Sequence, residues 1–199
     1  MTTPAPETSV LPHLTPLYQT QLLHSPIYAH LLSTLTLHTA THGKIRARLP
    51  IAPHHLNSKG TLHGTVSACI VDWAAGMAIL SCGGDYSGVS TDLSVSFLGT
   101  ATVGDVLEIV ATANKVGGTL AFTGVEIWGE KGEGEGKRWM VATGSHTKFE
   151  MFLKHHPDER LHRELRNADR INHSLDRRDL SISFIVPDDQ LTQAVDALT

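Results

Sequence analysis

The chain has 199 residues, of which 41% are apolar and 18% charged, a composition typical of one folded domain with room for an appendage. Its formal net charge of -4 gives no general basic field, so neither nucleic acid nor an anionic membrane surface is an expected partner. Cys69 and Cys82, 13 residues and about 20 Å apart if they lie on one helix, are too distant for a disulfide, which favours a reducing compartment.

The first 43 residues contain no Arg or Lys, which argues against a secretory or transit segment and makes the cytoplasm the expected compartment. Residues 1–12 are rich in Pro and Thr and are predicted to be disordered. Leu14 to Leu32 is predicted as one helix because its apolar residues fall roughly on one side. The stretch "STLTLHTATHGKIRARLPI" predicts two strands around a turn at His42 and Gly43.

The most apolar stretch, "GTLHGTVSACIVDWAAGMAILSCGG", runs from Gly60 to Gly84. It is long enough to cross a membrane, but Asp72, several glycines and the lack of a basic flank favour a buried helix. We expect this helix to begin near His63 and to end at Gly83 and Gly84. No membrane span is therefore expected.

Four more strands are predicted in "STDLSVSFL", "DVLEIVATANKV", "TLAFTGVEIWGE" and "RWMVATGSHTKF", with turns at Gly117-Gly118 and "KGEGEGK". Hairpins that follow a central helix predict an antiparallel sheet wrapped on that helix, an α+β architecture. Residues 150–179 hold seven basic and seven acidic side chains, which predicts a solvated helical extension.

Asp72 is the feature of this helix that most needs an explanation, because apolar residues flank it on both sides. A buried charge is costly unless it is paired, hydrogen-bonded or put to use. Two interpretations stay open: a structural carboxylate bonded to a buried polar group, or a general base or nucleophile in a cleft of low dielectric.

A second group of candidates surrounds the start of the helix. Gly64 falls where backbone N–H groups point out of a helix N-terminus and can hold a developing oxyanion, or it simply permits a tight turn. Asn57 could polarise a carbonyl or form a turn. His63 could act as a base, position a substrate or cap the helix. Gly64 and Asp72 lie about 12 Å apart along a helix, too far to serve one carbonyl, so if both are catalytic the site is shared across a two-fold dimer.

The ordered motifs "LNSKGTLHGTVSACIVDWAAG", "GVSTDLSVSFLGTATVGDVLEIVATANKVGGTLAFTGVEI" and "VATGSHTKF" resemble the hotdog-fold acyl-CoA thioesterases. The most similar group is the phenylacetate-pathway and small mitochondria-associated mammalian type, which leaves mitochondria open as a compartment. The resemblance divides the chain into an N-terminal segment (1–27), a hotdog thioesterase domain (28–149) and a C-terminal extension (150–199) that it does not explain.

The resemblance implies a long helix wrapped by a curved antiparallel sheet, in a homodimer that often pairs again into a tetramer. It implies an acyl-CoA substrate hydrolysed to free acid and coenzyme A, without a cofactor or a metal ion. Lys59, Lys115 and Lys148 are candidates for contacts with the coenzyme A phosphates. Leu80, Phe97, Leu98 and Phe122 are candidates for the lining of the acyl pocket and, equally, for the core.

Five site residues follow from the resemblance. Asp72 corresponds to the base or nucleophile, and Ser90, at the start of the "GVS" strand, to the residue that helps hold the water. Gly64 corresponds to the oxyanion donor, Asn57 to the residue that polarises the carbonyl, and His63 to a positioning group. In the family Asn, His and Gly come from one subunit and Asp and Ser from its neighbour, in agreement with the distance along the helix.

Two other functions on the same fold were weighed against hydrolysis. A non-catalytic acyl-CoA-binding or scaffold protein would not need the base, so the joint presence of Asn57, Gly64, Asp72 and Ser90 argues against it. A hydratase or dehydratase would carry a His/Asp loop motif that this sequence lacks.

Overall fold

The computed structural model describes residues 8–132 and 137–149. The predicted charged extension and most of the "KGEGEGK" turn lie outside the described residues. The helices and strands, in chain order, are α1 (Leu11–His24), α2 (Pro26–Leu31), β1 (Thr36–Thr41), β2 (Lys44–Pro50), α3 (Gly64–Leu80), β3 (Val89–Phe97), β4 (Asp105–Val116), β5 (Leu120–Lys131) and β6 (Trp139–Phe149).

The six strands form one antiparallel sheet in the order β1-β2-β4-β5-β6-β3. Helix α3 packs against this sheet, so the predicted α+β architecture with a sheet around a central helix is confirmed. The predicted strands agree with the observed ones to within a few residues. Gly43, in the turn between β1 and β2, has a φ of 73°, which favours glycine at that position.

The prediction of one helix from Leu14 to Leu32 is wrong, because the chain forms two helices with a break at Ser25. Ser25 is extended (φ -115°, ψ 101°), the conformation that a following proline favours. Its Oγ accepts a hydrogen bond from the backbone N–H of Tyr28 at 3.4 Å, and Pro26 is the first residue of α2. The serine and proline therefore end one helix and start the next.

Helix α1 begins inside the stretch predicted to be disordered. The backbone N–H of Val10 donates to the carbonyl of Ala40 at 2.9 Å, which fixes the start of α1 against β1. Further along α1, the Tyr18 ring packs edge-on against Trp73 of α3, with 5.4 Å between ring centroids. Helix α1 therefore shares one core with the sheet and α3.

Helix α3 is apolar on nearly every side apart from Asp72, and 12 of its 17 residues are buried. It passes very close to β6 at Gly144, where an added Cβ would lie 2.7 Å from both Cγ atoms of Val71. His146 and Lys148 follow on the same face of β6, because side chains alternate along a strand. The close approach therefore places Asp72, the next residue of α3, against these two side chains.

Strand β3 lies at one edge of the sheet, and eight of its nine residues are exposed. The exposed apolar side chains on and beside it are Tyr86, Val89, Leu93, Phe97 and Leu98. A long edge strand with exposed apolar residues is a surface that proteins normally cover.

In the part of the chain that the structure describes, no helix is long and apolar enough to cross a membrane.

The close approach at Gly144 predicts that Gly144→Ala destabilises the protein by about 1–3 kcal/mol, because the new methyl group forces α3 away from β6. Urea unfolding measures the change. Gly118→Ala is the matched control, since an added Cβ at Gly118 meets no atom within 4 Å. Equal losses in the two variants would contradict the tight packing of α3 on β6.

Candidate active site

The carboxylate of Asp72 is held from two directions. The phenol of Tyr28, on α2, donates a hydrogen bond to Oδ2 at 2.6 Å. The ammonium of Lys148, on β6, donates to Oδ1 at 3.3 Å, and Nδ1 of His146 lies 3.5 Å from the same oxygen. With its side chain 32% exposed, the carboxylate is both paired and open to solvent on one side.

Ser90 lies beside this group because β3 pairs with β6 and places Ser90 opposite Lys148. The Lys148 ammonium also donates to the Ser90 hydroxyl at 3.5 Å. The structure thus brings the predicted pair of Asp72 and Ser90 together through Lys148. Lys148 is only 7% exposed and its ammonium is paired with Asp72, which argues against its candidate role as a contact for the coenzyme A phosphates.

Two opposing effects act on the pKa of Asp72. Burial, the largest effect, raises it, but the hydrogen bond from Tyr28, the Lys148 ammonium and the adjacent His146 ring together hold the pKa below its usual value. Asp72 is therefore ionised at neutral pH and can accept a proton. Burial and the Asp72 charge also raise the pKa of the Cys69 thiol, one turn away, to about 11.

His146 is fully buried, and neither of its ring nitrogens has a hydrogen-bond partner among the described residues. Burial and the neighbouring Lys148 ammonium lower its pKa, against the opposing charges of Asp72 and Asp92. The imidazole is therefore neutral at neutral pH, and Lys148 is the cation that balances Asp72.

The N-terminus of α3 forms a second, separate group. His63 is the N-cap residue, and its Nδ1 accepts a hydrogen bond from the backbone N–H of Thr65 at 3.1 Å. Of the three roles considered for His63, capping is the one that the structure displays.

Gly64 is the first residue of α3, and its backbone N–H has no hydrogen-bond partner within residues 8–132 and 137–149. This amide lies at the positive end of the helix dipole, where a negative oxygen is stabilised. The ring of Phe97 covers the adjoining space, since a Cβ on Gly64 would lie 3.2 Å from its Cε1 atom. The backbone N–H of Gly64 is therefore an available hydrogen-bond donor beside the Phe97 ring, where there is little space for a side chain.

Asn57 shapes the loop before α3. Its Nδ2 donates to Thr61 Oγ1 at 2.9 Å and to the carbonyl of Leu62 at 3.4 Å, while its Oδ1 accepts from the backbone N–H of Lys59 at 2.8 Å. These contacts are those of a turn-forming asparagine. To polarise a substrate carbonyl, Asn57 would have to exchange one of its two Nδ2 hydrogen bonds for a hydrogen bond to that carbonyl.

The sequence did not predict that Tyr28, His146 and Lys148 surround the Asp72 carboxylate. A signal was available for the last two, because Ala142, Gly144, His146 and Lys148 alternate along one predicted strand. Nothing in the sequence links Tyr28 to Asp72, which lies 44 residues further along the chain.

A cavity of about 500 Å³ lies elsewhere, against exposed residues of the sheet such as Lys44, Arg46 and Arg138. Asp72, Ser90 and Gly64 do not line it. Among the described residues, no three His, Cys, Asp or Glu side chains cluster in a way that would hold a metal ion.

Comparison with known proteins assigns the family. Residues 59–135 match the thioesterase superfamily. Acyl-coenzyme A thioesterase 13 of Homo sapiens is 35% identical over 121 residues, which cover 61% of this chain and 83% of that protein. The Mus musculus protein of the same name is 32% identical over 123 residues, 62% of this chain and 84% of its own length.

Solved structures agree with these relatives. The crystal structure of zebrafish thioesterase superfamily member 2 has a TM-score of 0.61 and 31% identity, and the match covers 70% of this chain and 96% of that one. Its Mus musculus counterpart has a TM-score of 0.57 and 29% identity, with 69% and 96% covered. The chain belongs to the thioesterase superfamily, has the hotdog fold and is a thioester hydrolase.

The depressed pKa of Asp72 predicts a specific acid sensitivity. A group whose pKa is lower in the folded state binds fewer protons there than in the unfolded state, so its stabilising effect is lost as pH falls through the folded pKa. We expect the free energy of unfolding of the wild type to fall more steeply below pH 4 than that of Asp72→Asn, when both are measured by urea unfolding across pH. Parallel curves would contradict the assignment of ion pairing to Asp72.

Proposed function

We propose that the protein hydrolyses acyl-CoA thioesters to a free acid and coenzyme A, with Asp72 as the catalytic group. The observation that carries the proposal is the ionised Asp72 carboxylate, held by Tyr28 and Lys148 and lying beside Ser90. The names of the mammalian relatives, acyl-coenzyme A thioesterase 13, support acyl-CoA as the substrate class.

Asp72 fits a general base better than a nucleophile. Hydrogen bonds from Tyr28 and Lys148 hold its two oxygens in place, whereas direct attack would require one oxygen to move within bonding distance of the carbonyl carbon. Accepting a proton from water leaves those bonds in place. The water would lie between Asp72 Oδ1 and the Ser90 hydroxyl, on the solvent-exposed side of the carboxylate.

The remaining requirement is a donor for the thioester oxygen, and the free N–H of Gly64 is suited to it. A thioester is electrophilic and its thiolate leaves readily, so a base and an oxyanion donor suffice. Within one chain, however, Gly64 and Asp72 are separated by about 12 Å of rigid helix. We therefore assign the donor to Gly64 of a second subunit.

The exposed edge strand β3 offers the contact for this dimer. Ser90, near the start of β3, lies by the Asp72 group, and Phe97, at its end, covers Gly64. Antiparallel pairing of two copies of β3 about Leu93 would put the start of one strand beside the end of the other. Such pairing would bring Asp72 of one chain toward Gly64 of the next and cover the exposed apolar edge.

We predict that Asp72→Asn lowers kcat for thiol release by about 100-fold or more, the contribution of a positioned general base. The assay follows free thiol from acyl-CoA substrates with short, long and aromatic acyl groups. Asp105→Asn is the matched control, because Asp105 is also a paired carboxylate but contacts Lys131 and Thr102 instead. An absence of thiol release by the wild type would favour a non-catalytic acyl-CoA-binding protein.

The shared site can be tested by removing the Gly64 N–H. Gly64→Pro deletes this donor at the first position of a helix, where proline is accepted, and His63 already has the extended conformation (φ -73°, ψ 133°) that precedes proline. We expect a loss in kcat of about 100-fold or more. Gly64→Ala keeps the N–H with the same added Cβ, so its loss should be clearly smaller.

Heterodimers of Gly64→Pro and Asp72→Asn chains, purified through two different tags, would then hold one intact site. They should recover about half of the wild-type activity per dimer, although each homodimer is nearly inactive. Inactive heterodimers would place the whole site within one chain.

A further inference from the structure

The contact between Tyr28 and Asp72 has a consequence for the reaction, and the inference rests on the proposed hydrolysis. We propose that Tyr28 is a positioning residue that holds Asp72 by Oδ2 and leaves Oδ1 as the atom that takes the proton from water. The Tyr28 hydroxyl lies 2.6 Å from Oδ2, the shortest polar contact of this carboxylate. A short hydrogen bond to an ionised acceptor is among the stronger kinds.

The backbone of Tyr28 is held by hydrogen bonds that do not involve Asp72. Its backbone N–H donates to Ser25 Oγ at 3.4 Å and its carbonyl accepts from the Leu32 N–H at 2.7 Å, so the short helix α2 is held at both ends. Burial and the adjacent Asp72 charge raise the pKa of Tyr28 far above neutrality, which keeps the phenol protonated. Tyr28 is therefore a permanent donor.

The two oxygens of Asp72 face different surroundings as a result. Oδ2 is covered by the phenol, whereas Oδ1 faces Lys148, whose ammonium also reaches Ser90. Holding the carboxylate at both ends fixes its plane, because a rotation that would improve one hydrogen bond would lengthen the other. When the base acts, an O–H bond of water breaks, its proton joins Oδ1, and the water oxygen bonds to the thioester carbon while the carbonyl electron pair moves onto its oxygen. Collapse of this oxyanion breaks the C–S bond and releases the coenzyme A thiolate, and the proton on Oδ1 passes to that thiolate or to solvent.

The other titratable groups around Asp72 do not contact Oδ2, so none of them replaces Tyr28. Lys148 and His146 approach from β6 on the Oδ1 side, and Cys69 lies one turn away on α3. Asp92, on β3, acts on His146. Tyr28 is the hydrogen-bond donor to Oδ2 in the described part of the chain. Without its hydroxyl, the pKa of Asp72 rises and the orientation of the carboxylate is lost.

The experiment compares Tyr28→Phe with Tyr18→Phe in the full chain. Tyr18 is a matched control because its hydroxyl is also part of a buried hydrogen bond, to the carbonyl of Leu35 at 2.8 Å, but does not touch Asp72. The measurements are kcat, the pH profile of kcat/KM, and the titration of the Asp72 carboxyl carbon followed by NMR. Substitution of Tyr28 by 3-fluorotyrosine, which keeps the shape and strengthens the donor, provides a variant that carries little folding risk.

We expect Tyr28→Phe to lower kcat about tenfold, the effect of losing one hydrogen bond to a charged group, and to move the acid limb of kcat/KM to higher pH. The carboxyl titration should move in the same direction, 3-fluorotyrosine should move both the other way, and Tyr18→Phe should move neither. A Tyr28→Phe profile identical to the wild type, or an equal shift in Tyr18→Phe, would overturn the role of Tyr28. A wild type without thiol release would instead overturn the proposed hydrolysis, and the carboxyl titration would still show whether Tyr28 acts on Asp72.

Discussion

The pairing of Asp72 with donors from two other elements is the interaction on which the site depends. An isolated carboxylate on a helix as apolar as α3 would be strongly disfavoured, and the cost is offset only because Tyr28 and Lys148 reach it from opposite sides. Those donors are in place because α3 lies almost against β6 at Gly144 and because the chain breaks at Ser25 to start α2. The packing of the core and the chemistry of the site therefore rest on the same contacts.

The same contacts set a compromise between keeping Asp72 ionised and keeping it strongly basic. Donors that hold Asp72 ionised also make it a weaker base, since a lower pKa means a lower affinity for the proton of water. A thioester tolerates this compromise because its carbonyl is already activated and its thiolate is a good leaving group. Much of the stabilisation of the transition state can then come from the unoccupied N–H of Gly64, which costs no reorganisation when the oxyanion forms.

The architecture and two members of the Asp72 group, Asp72 and Ser90, were predictable from the sequence, for physical reasons that differ between elements. The strands β4 and β5 flank the Gly117-Gly118 turn, and their buried residues alternate over most of their length. Helix α3 was located by its length and its apolar composition, with Asp72 and the glycines favouring a buried helix over a membrane span. The break at Ser25 was missed because apolar spacing continues through it, although the following proline was a local signal. Tyr28 could not be predicted as a partner of Asp72, because a contact across 44 residues depends on how α2 docks onto α3.

The edge strand β3 links the two halves of the proposed site more directly than the helix does. Its first residues lie by Asp72 and its last residue, Phe97, lies over Gly64. The two groups of the proposed site therefore lie at opposite ends of this one strand. A two-fold axis through the middle of β3 exchanges its ends, and with them the two groups, without any change in the fold of either chain. The separation of Gly64 from Asp72, which leaves a single chain incomplete, is thus the separation that antiparallel pairing of two such strands would close. The proposed second copy of the chain would account for both the exposed apolar edge and the separation of the two groups.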